Sequence, residues 1–309
     1  MSLSTPVALL IFNRPDLTRI VFDAIAQVKP RQLFIVADGP RCPEEVIKCQ
    51  QAREAVKKVE WECEVFTNFS DENLGCKHRI STGLDWVFSK VEEAIILEDD
   101  CLPTQSFFYF CQTLLEHYRH DTRVMHISGN NFQGGRKRTD YSYFFSKYNH
   151  IWGWASWRRA WQHYDVKMST WPEYKSSSFI KLVCSSRQEQ KYWIDMFDHV
   201  FNNMIDTWDY QWTYACWSQS GLSILPELNL VSNIGFRSDA THTKQKSLFA
   251  NLPTSDIQNL MHPLLVVRNE EADAHTARYM FNTKFNLRKF LRKLKSSTLF
   301  SEFFRPKTN

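Results

Sequence analysis

Four short apolar runs, each closed by a polar cluster and separated from the next by helical or charged sequence, restrict this chain to a narrow set of folds. Residues 7–12 form a continuous apolar run of strand length that ends at Asn13-Arg14-Pro15-Asp16. Residues 32–37 form a second, stopped by Asp38-Gly39-Pro40. Residues 62–67 alternate as a third, and 94–97 lead into Glu98-Asp99-Asp100. Between them, Pro15 suits a first helical turn, and Leu17, Ile20, Val21 and Ile25 follow at helical spacing. Residues 43–59 are charged and helical in character, 75–90 read as a further helix, and 222–225 and 228–231 read as short later strands. Strands that alternate with helices pair in parallel, and their sheet is covered on both faces. The expected class is α/β.

In such sheets the loops at the carboxyl ends of the strands converge on the ligand crevice. Here those loops carry Asn13 and Arg14, Asp38 and Gly39, and Glu98, Asp99 and Asp100. A buried strand that ends in three acids is costly unless the charges are solvated or meet a cation. Carboxylate oxygens suit hard divalent ions, and a magnesium site commonly uses one or two of them together with substrate phosphates. The plain alternative is an acidic turn at a strand end.

Composition excludes several other classes. The formal charge of +4 over 309 residues is too small and too dispersed for a nucleic-acid partner. The eight cysteines form no CxxC pair and match no zinc module, so they read as reduced thiols of a cytoplasmic protein. No leader is expected before residue 7, and no run reaches the roughly 18 apolar residues of a membrane span. Nine of the eleven tryptophans fall between Trp152 and Trp217, and two readings of them compete. Most must build a core of large rings, but some are candidates to line a sugar cleft, because pyranose C–H faces pack on indole. Residues 286–306 alternate basic and apolar side chains, either as a solvated tail helix or as a peripheral anchor on the anionic inner membrane face.

Leu97-Glu98-Asp99-Asp100-Cys101-Leu102-Pro103, followed by the aromatic run Phe107-Phe108-Tyr109-Phe110, resembles the Glu-Asp-Asp strand end of GT-A fold glycosyltransferases. Within that fold the chain is similar to N-acetylglucosaminyltransferase I and to bacterial family 2-like transferases. The resemblance implies a Rossmann-like mixed sheet flanked by helices. It places Asp100 on a manganese or magnesium ion, and Asp99 on ribose or a metal-bound water. Asn13 and Arg14 would open the nucleotide pocket, and Asp38 would face the base. The segment Asn73-Leu74-Gly75 to Arg79-Ile80-Ser81 would close over nucleotide and sugar, with Arg79 on the diphosphate. Gly153-Trp154-Ala155-Ser156-Trp157 and Trp208-Asp209-Tyr210-Gln211-Trp212 resemble acceptor-side segments, with Trp154, Trp208 and Trp212 facing the acceptor. Leu225-Pro226-Glu227 and Asn233-Ile234-Gly235 resemble the family's later strand and closing loop, after which Arg237 would reach the diphosphate and His242 the metal. The ordered matches run from about residue 7 to 245, roughly three-quarters of the chain.

The implied organisation is one domain over 1–245, with a nucleotide-sugar half (1–125), an acceptor half (126–245) and an extension over 246–309. The implied reaction moves a sugar, with inversion, from a nucleotide-diphospho-sugar (a UDP-sugar favoured) to a glycan or glycolipid hydroxyl in bacterial surface-glycan synthesis. Such a reaction needs a carboxylate to accept the hydroxyl proton. Asp209 is the candidate, with Asp206 and Glu227 as alternatives, because Asp209 stands one residue further from the next tryptophan than the family pattern expects. Two other classes compete. A sugar-phosphate nucleotidyltransferase usually opens with a glycine-rich loop after the first strand, and residues 13–16 hold no glycine. A non-catalytic carbohydrate-binding protein would leave the acid cluster without a role.

Overall fold

The computed structural model describes residues 2–236 and 249–281. The first half runs β1 (Val7–Ile11), α1 (Pro15–Val28), β2 (Gln32–Ala37), α2 (Val46–Ala55), β3 (Glu64–Phe69), α3 (Gly75–Lys90), β4 (Glu93–Glu98), β5 (Cys101–Pro103) and α4 (Gln105–His117). The second half runs β6 (Val124–Ser128), β7 (Tyr143–Ser146), β8 (Trp154–Trp157), α5 (Arg158–Trp161), α6 (Trp171–Ser176), α7 (Phe179–Val183), α8 (Arg187–Phe201), α9 (Asp209–Ser218), β9 (Leu222–Pro226), β10 (Val231–Asn233) and α10 (Glu270–Tyr279).

Eight strands form one mixed sheet in the order β3-β2-β1-β4-β8-β6-β9-β7, and β10 pairs with β5 in a small second sheet. The four strands nearest the amino terminus are parallel; β1, β2 and β4 are buried on both faces, and β3 is the exposed edge. The sheet becomes mixed where β8 enters antiparallel between β4 and β6, and where β7 pairs antiparallel with β9 at the edge. Alternation along the central strands sends side chains to two cores. Val7, Leu9, Ile11, Ile95 and Leu97 join α1 and α4 on one face. Ala8, Leu10, Ala94 and Ile96 join α3, α8 and α9 on the other.

Three boundaries differ from expectation. The third strand begins at Glu64, where pairing with Gln32 starts, and runs on to Phe69 opposite Ala37. The stretch 43–59 breaks into a 3-10 turn at Pro43–Glu45 and a helix that ends at Ala55. The strand expected over 228–231 begins only at Val231, because the backbone before it turns away: Glu227 N–H bonds Ser142 and Leu230 N–H bonds Gly129.

The segment after residue 249 packs against the edge strand. Ser142 N–H donates to the Met261 carbonyl, Phe145 bridges Arg268, and α10 buries Ala272, Thr276 and Ala277. The basic tail over 286–306 lies outside the described residues. Among the described residues no helix is long and apolar enough to cross a membrane.

Candidate functional site

After β1 the chain moves to β2 and β3 on one side, then returns to lay β4 on the other. The crevice at this reversal is where open α/β sheets place ligands. A cavity of about 360 Å³ lies there. Its floor is Phe12 and Arg14 after β1, Asp38 and Arg41 after β2, and Glu98, Asp99 and Asp100 ending β4. The first turns of α3 add Gly75, Cys76 and Arg79, and the opposite wall is Ile151, Trp152 and residues 206–209. The three polar strand ends therefore meet in one place.

Arg14 is the hinge of the acid cluster. Its Nη1 donates to Asp100 Oδ2 at 2.9 Å, and its Nη2 donates to Asp99 Oδ1. Asp99 Oδ2 accepts the Phe12 amide at 3.3 Å, which ties the β4 end to the β1 end. Burial opposes the Arg14 charge, but Asp99 and Asp100 outweigh it and raise its pKa. Burial pushes Asp99 up to about 6, against the pull of Arg14. Glu98 is pushed up to about 8 by burial and then by Asp100 and Asp99. One guanidinium thus stands against three acids.

The resemblance implies a divalent ion here, and as arranged Arg14 holds two of the acid oxygens that would face it. Arg14 takes one oxygen from each of Asp99 and Asp100, and among the described residues no group of three His, Cys, Asp or Glu side chains stands ready for a metal. His242 and Arg237 lie outside the described residues.

Asp38 is a loop anchor. Its carboxylate accepts from Gly39 and Leu74 N–H at 2.9 Å each, from Gly75 N–H at 3.2 Å and from Asn73 Nδ2 at 3.0 Å. These bonds hold the segment that opens α3 at the cavity. Burial raises the Asp38 pKa against those donors. Arg79 also lines the cavity, with Nη2 on the Asn68 carbonyl and side-chain oxygen at 2.8 Å each. Its buried Nε has no partner. Asn13 does not line the cavity, because its amide is turned onto Glu45 Oε1 at 2.9 Å.

Glu45 also grips Arg41, whose guanidinium lies 5.3 Å from the Phe12 ring centre at the cavity. Sequence reasoning missed Arg41. The signal open to it was the Arg41/Glu45 spacing at the start of a helix.

On the opposite wall Asp209 opens α9 and takes a bond from the Thr207 hydroxyl. Asp206 lines the cavity too, but its two oxygens accept the Cys76 and Lys77 amides at 3.2 Å each, capping α3. Glu227 accepts the Arg138 amide at 3.0 Å and is not in the cavity wall. The acceptor-side tryptophans need correction. Trp154 and Trp212 are fully buried, Trp154 stacked between His126 and Trp208, and Trp212 Nε1 bonded to His126. Neither reaches the cavity. Trp208 touches it from a buried position, and Trp152, half-buried, is the ring that faces it more openly.

No family model matches this chain, and no curated protein aligns with it. Among solved structures it is similar to UDP-glucose pyrophosphorylase in complex with UDP-glucose, at 10% identity and a TM-score of 0.26. The match covers 46% of this chain and 63% of that protein, so it spans less than two thirds of its length. A likeness this distant carries no argument about activity.

Proposed function

We propose that this chain is a glycosyltransferase that takes a sugar from a nucleotide-diphospho-sugar, a UDP-sugar favoured, and passes it with inversion to a glycan or glycolipid hydroxyl. The observation that carries the reading is that Asp209 lines the same cavity as the three strand-end clusters. A donor on the strand-end side would place its diphosphate within the field of Arg14 and Arg79. An acceptor would enter beside Trp152, whose half-buried indole lines the cavity and offers a surface for a sugar ring.

Asp209 accepts the proton of the acceptor hydroxyl as its oxygen attacks the anomeric carbon. The bond from that carbon to the phosphate oxygen breaks, and the nucleoside diphosphate leaves with the electron pair. The guanidinium groups of Arg14 and Arg79 offset the charge that grows on the leaving phosphate. The sugar passes through an oxocarbenium-like state, as in glycoside hydrolysis.

The test is to incubate the protein with a panel of sugar nucleotides and glycan acceptors, measure free nucleoside diphosphate and read the anomeric configuration of the product by NMR. Nucleoside diphosphate released only with acceptor present, with an inverted product, supports the reading. Pyrophosphate formed from a nucleoside triphosphate and a sugar 1-phosphate would make the chain a nucleotidyltransferase instead. Sugar binding with no nucleotide binding would make it a lectin.

A further inference from the structure

We infer that Arg14 is the resident cation of the acid cluster, and that a divalent ion reaches Asp100 only by displacing its guanidinium. The inference rests on the proposed function for the identity of the pocket, and its test uses the metal alone.

Arg14 is anchored before its side chain begins. It precedes Pro15 at the start of α1, and its carbonyl accepts both the Thr18 amide at 2.9 Å and the Thr18 hydroxyl at 2.8 Å. From there the guanidinium spans successive carboxylates, one prong on Asp99 and one on Asp100. The far side is closed by the Gly235 backbone, where a side-chain carbon would stand 2.8 Å from Arg14 Nη1. The fork is therefore boxed in by α1, the β4 end and the Gly235 backbone.

Magnesium-like ions sit about 2.0–2.1 Å from carboxylate oxygens, inside the space a guanidinium nitrogen holds at 2.9 Å. The two cations exclude each other on Asp100 Oδ2, and like charges this close repel. Without a polyanionic ligand, the single charge of Arg14 already satisfies the pair through a charge-assisted fork. A diphosphate would add negative charge to the cavity and favour the exchange. Arg14 thus sets the metal requirement of the site: it holds the cluster closed and makes metal entry depend on the nucleotide.

The experiment titrates manganese into the nucleotide-free full chain and follows loss of the free-ion EPR signal. Arg14→Gln is expected to bind manganese at least about tenfold more tightly than the parent, which corresponds to about 1.4 kcal/mol. Asp100→Asn on the Arg14→Gln background should remove the gain. Should Arg14→Gln lose its thermal transition, Arg14→Lys takes its place, since one point charge cannot fork across both acids. Equal manganese affinity in parent and folded variant overturns the inference. So does a gain that survives Asp100→Asn. None of these outcomes depends on whether the protein transfers sugar.

Discussion

A side-chain carbon on Gly235 would lie 2.1 Å from Asp100 Oδ2, so the Gly235 backbone rests directly on the acid cluster. The Ile234 amide fixes this contact by donating to the Asp100 carbonyl at 2.8 Å. Gly235→Ala must push the carboxylate or the loop away. We expect a stability loss of about 1–3 kcal/mol, the usual cost of overpacking, with UDP affinity at least tenfold weaker. Urea unfolding and calorimetric titration with UDP check the two parts. A variant that binds UDP as the parent does would show that Gly235 is not part of the pocket.

Trp154 and Trp152 stand two residues apart and should respond in opposite ways. Trp154 is fully buried against His126 and Trp208, and truncation to Ala should cost about 3–5 kcal/mol. Trp152 packs edge-on to Phe132 and lines the cavity, so Trp152→Ala should weaken acceptor binding with a clearly smaller stability loss. Urea midpoints and acceptor KM separate the two. If Trp154→Phe, which keeps an aromatic ring in the core, raised acceptor KM while Trp152→Ala left it unchanged, the wall assignment would be reversed.

Acid should remove the stability that two buried histidines contribute. The Trp212 indole N–H donates to His126 Nδ1, so the ring proton sits on Nε2 and bonds the His150 carbonyl. Burial lowers both His126 and His150 to about 3, far below the ordinary value near 6.5. Below pH 6.5 the unfolded chain takes up protons that the folded one refuses, so this contribution falls as pH drops from about 6.5 towards 3. Asp273 and Asp99, raised to about 6, and Glu98, raised to about 8, all mainly by burial, act with the opposite sign as pH falls towards their ordinary values, and they are common to parent and variant. Replacing His126 with Gln should therefore flatten the stability slope between pH 6 and 5 by up to about 1.4 kcal/mol per pH unit. Urea unfolding at several pH values reads the slope, and an unchanged slope would mean that His126 is protonated in the native state.

Much of the frame of this site was legible in the sequence, because burial on both faces leaves an unbroken apolar run and polar residues can then stand only at the strand ends. Arg14, Asp38 and Glu98–Asp100 were found this way, and all line the cavity. What those side chains bond to was not legible. Asp38 reads as a base contact, yet it accepts four N–H groups of its neighbours, because a buried carboxylate beside unpaired helix-start amides is drawn to them. The tryptophans show the same limit. An indole has one identity in sequence whether it faces a cleft or a core, and eight of the nine between 152 and 217 are buried. The antiparallel entry of β8 was equally hidden, since it depends on contacts between residues more than fifty positions apart.

The choice among three acids decides the mechanism, and the structure makes them unequal. Asp206 spends both oxygens on the Cys76 and Lys77 amides, so Asp206→Asn should cost about 1 kcal/mol of stability as a lost helix cap, with at most a small change in turnover. Glu227 holds the Arg138 amide away from the cavity, so Glu227→Gln should leave turnover near the parental value. Asp209 stands at the head of α9 on the cavity wall facing the strand ends, and its negative charge adds to the upward push on Glu98. Asp209→Asn is nearly isosteric and can still accept the Thr207 hydroxyl bond, so folding and donor binding should survive. The amide cannot take the acceptor proton, and transfer should fall by roughly 10²–10⁴-fold. Single-turnover rates at saturating donor, with donor affinity measured separately, isolate the chemical step. Parental rates in Asp209→Asn with a dead Asp206→Asn would move the base to Asp206. Parental rates in all three variants would mean that none of these three carboxylates takes the proton, and the anomeric configuration of the product would then decide whether transfer inverts at all.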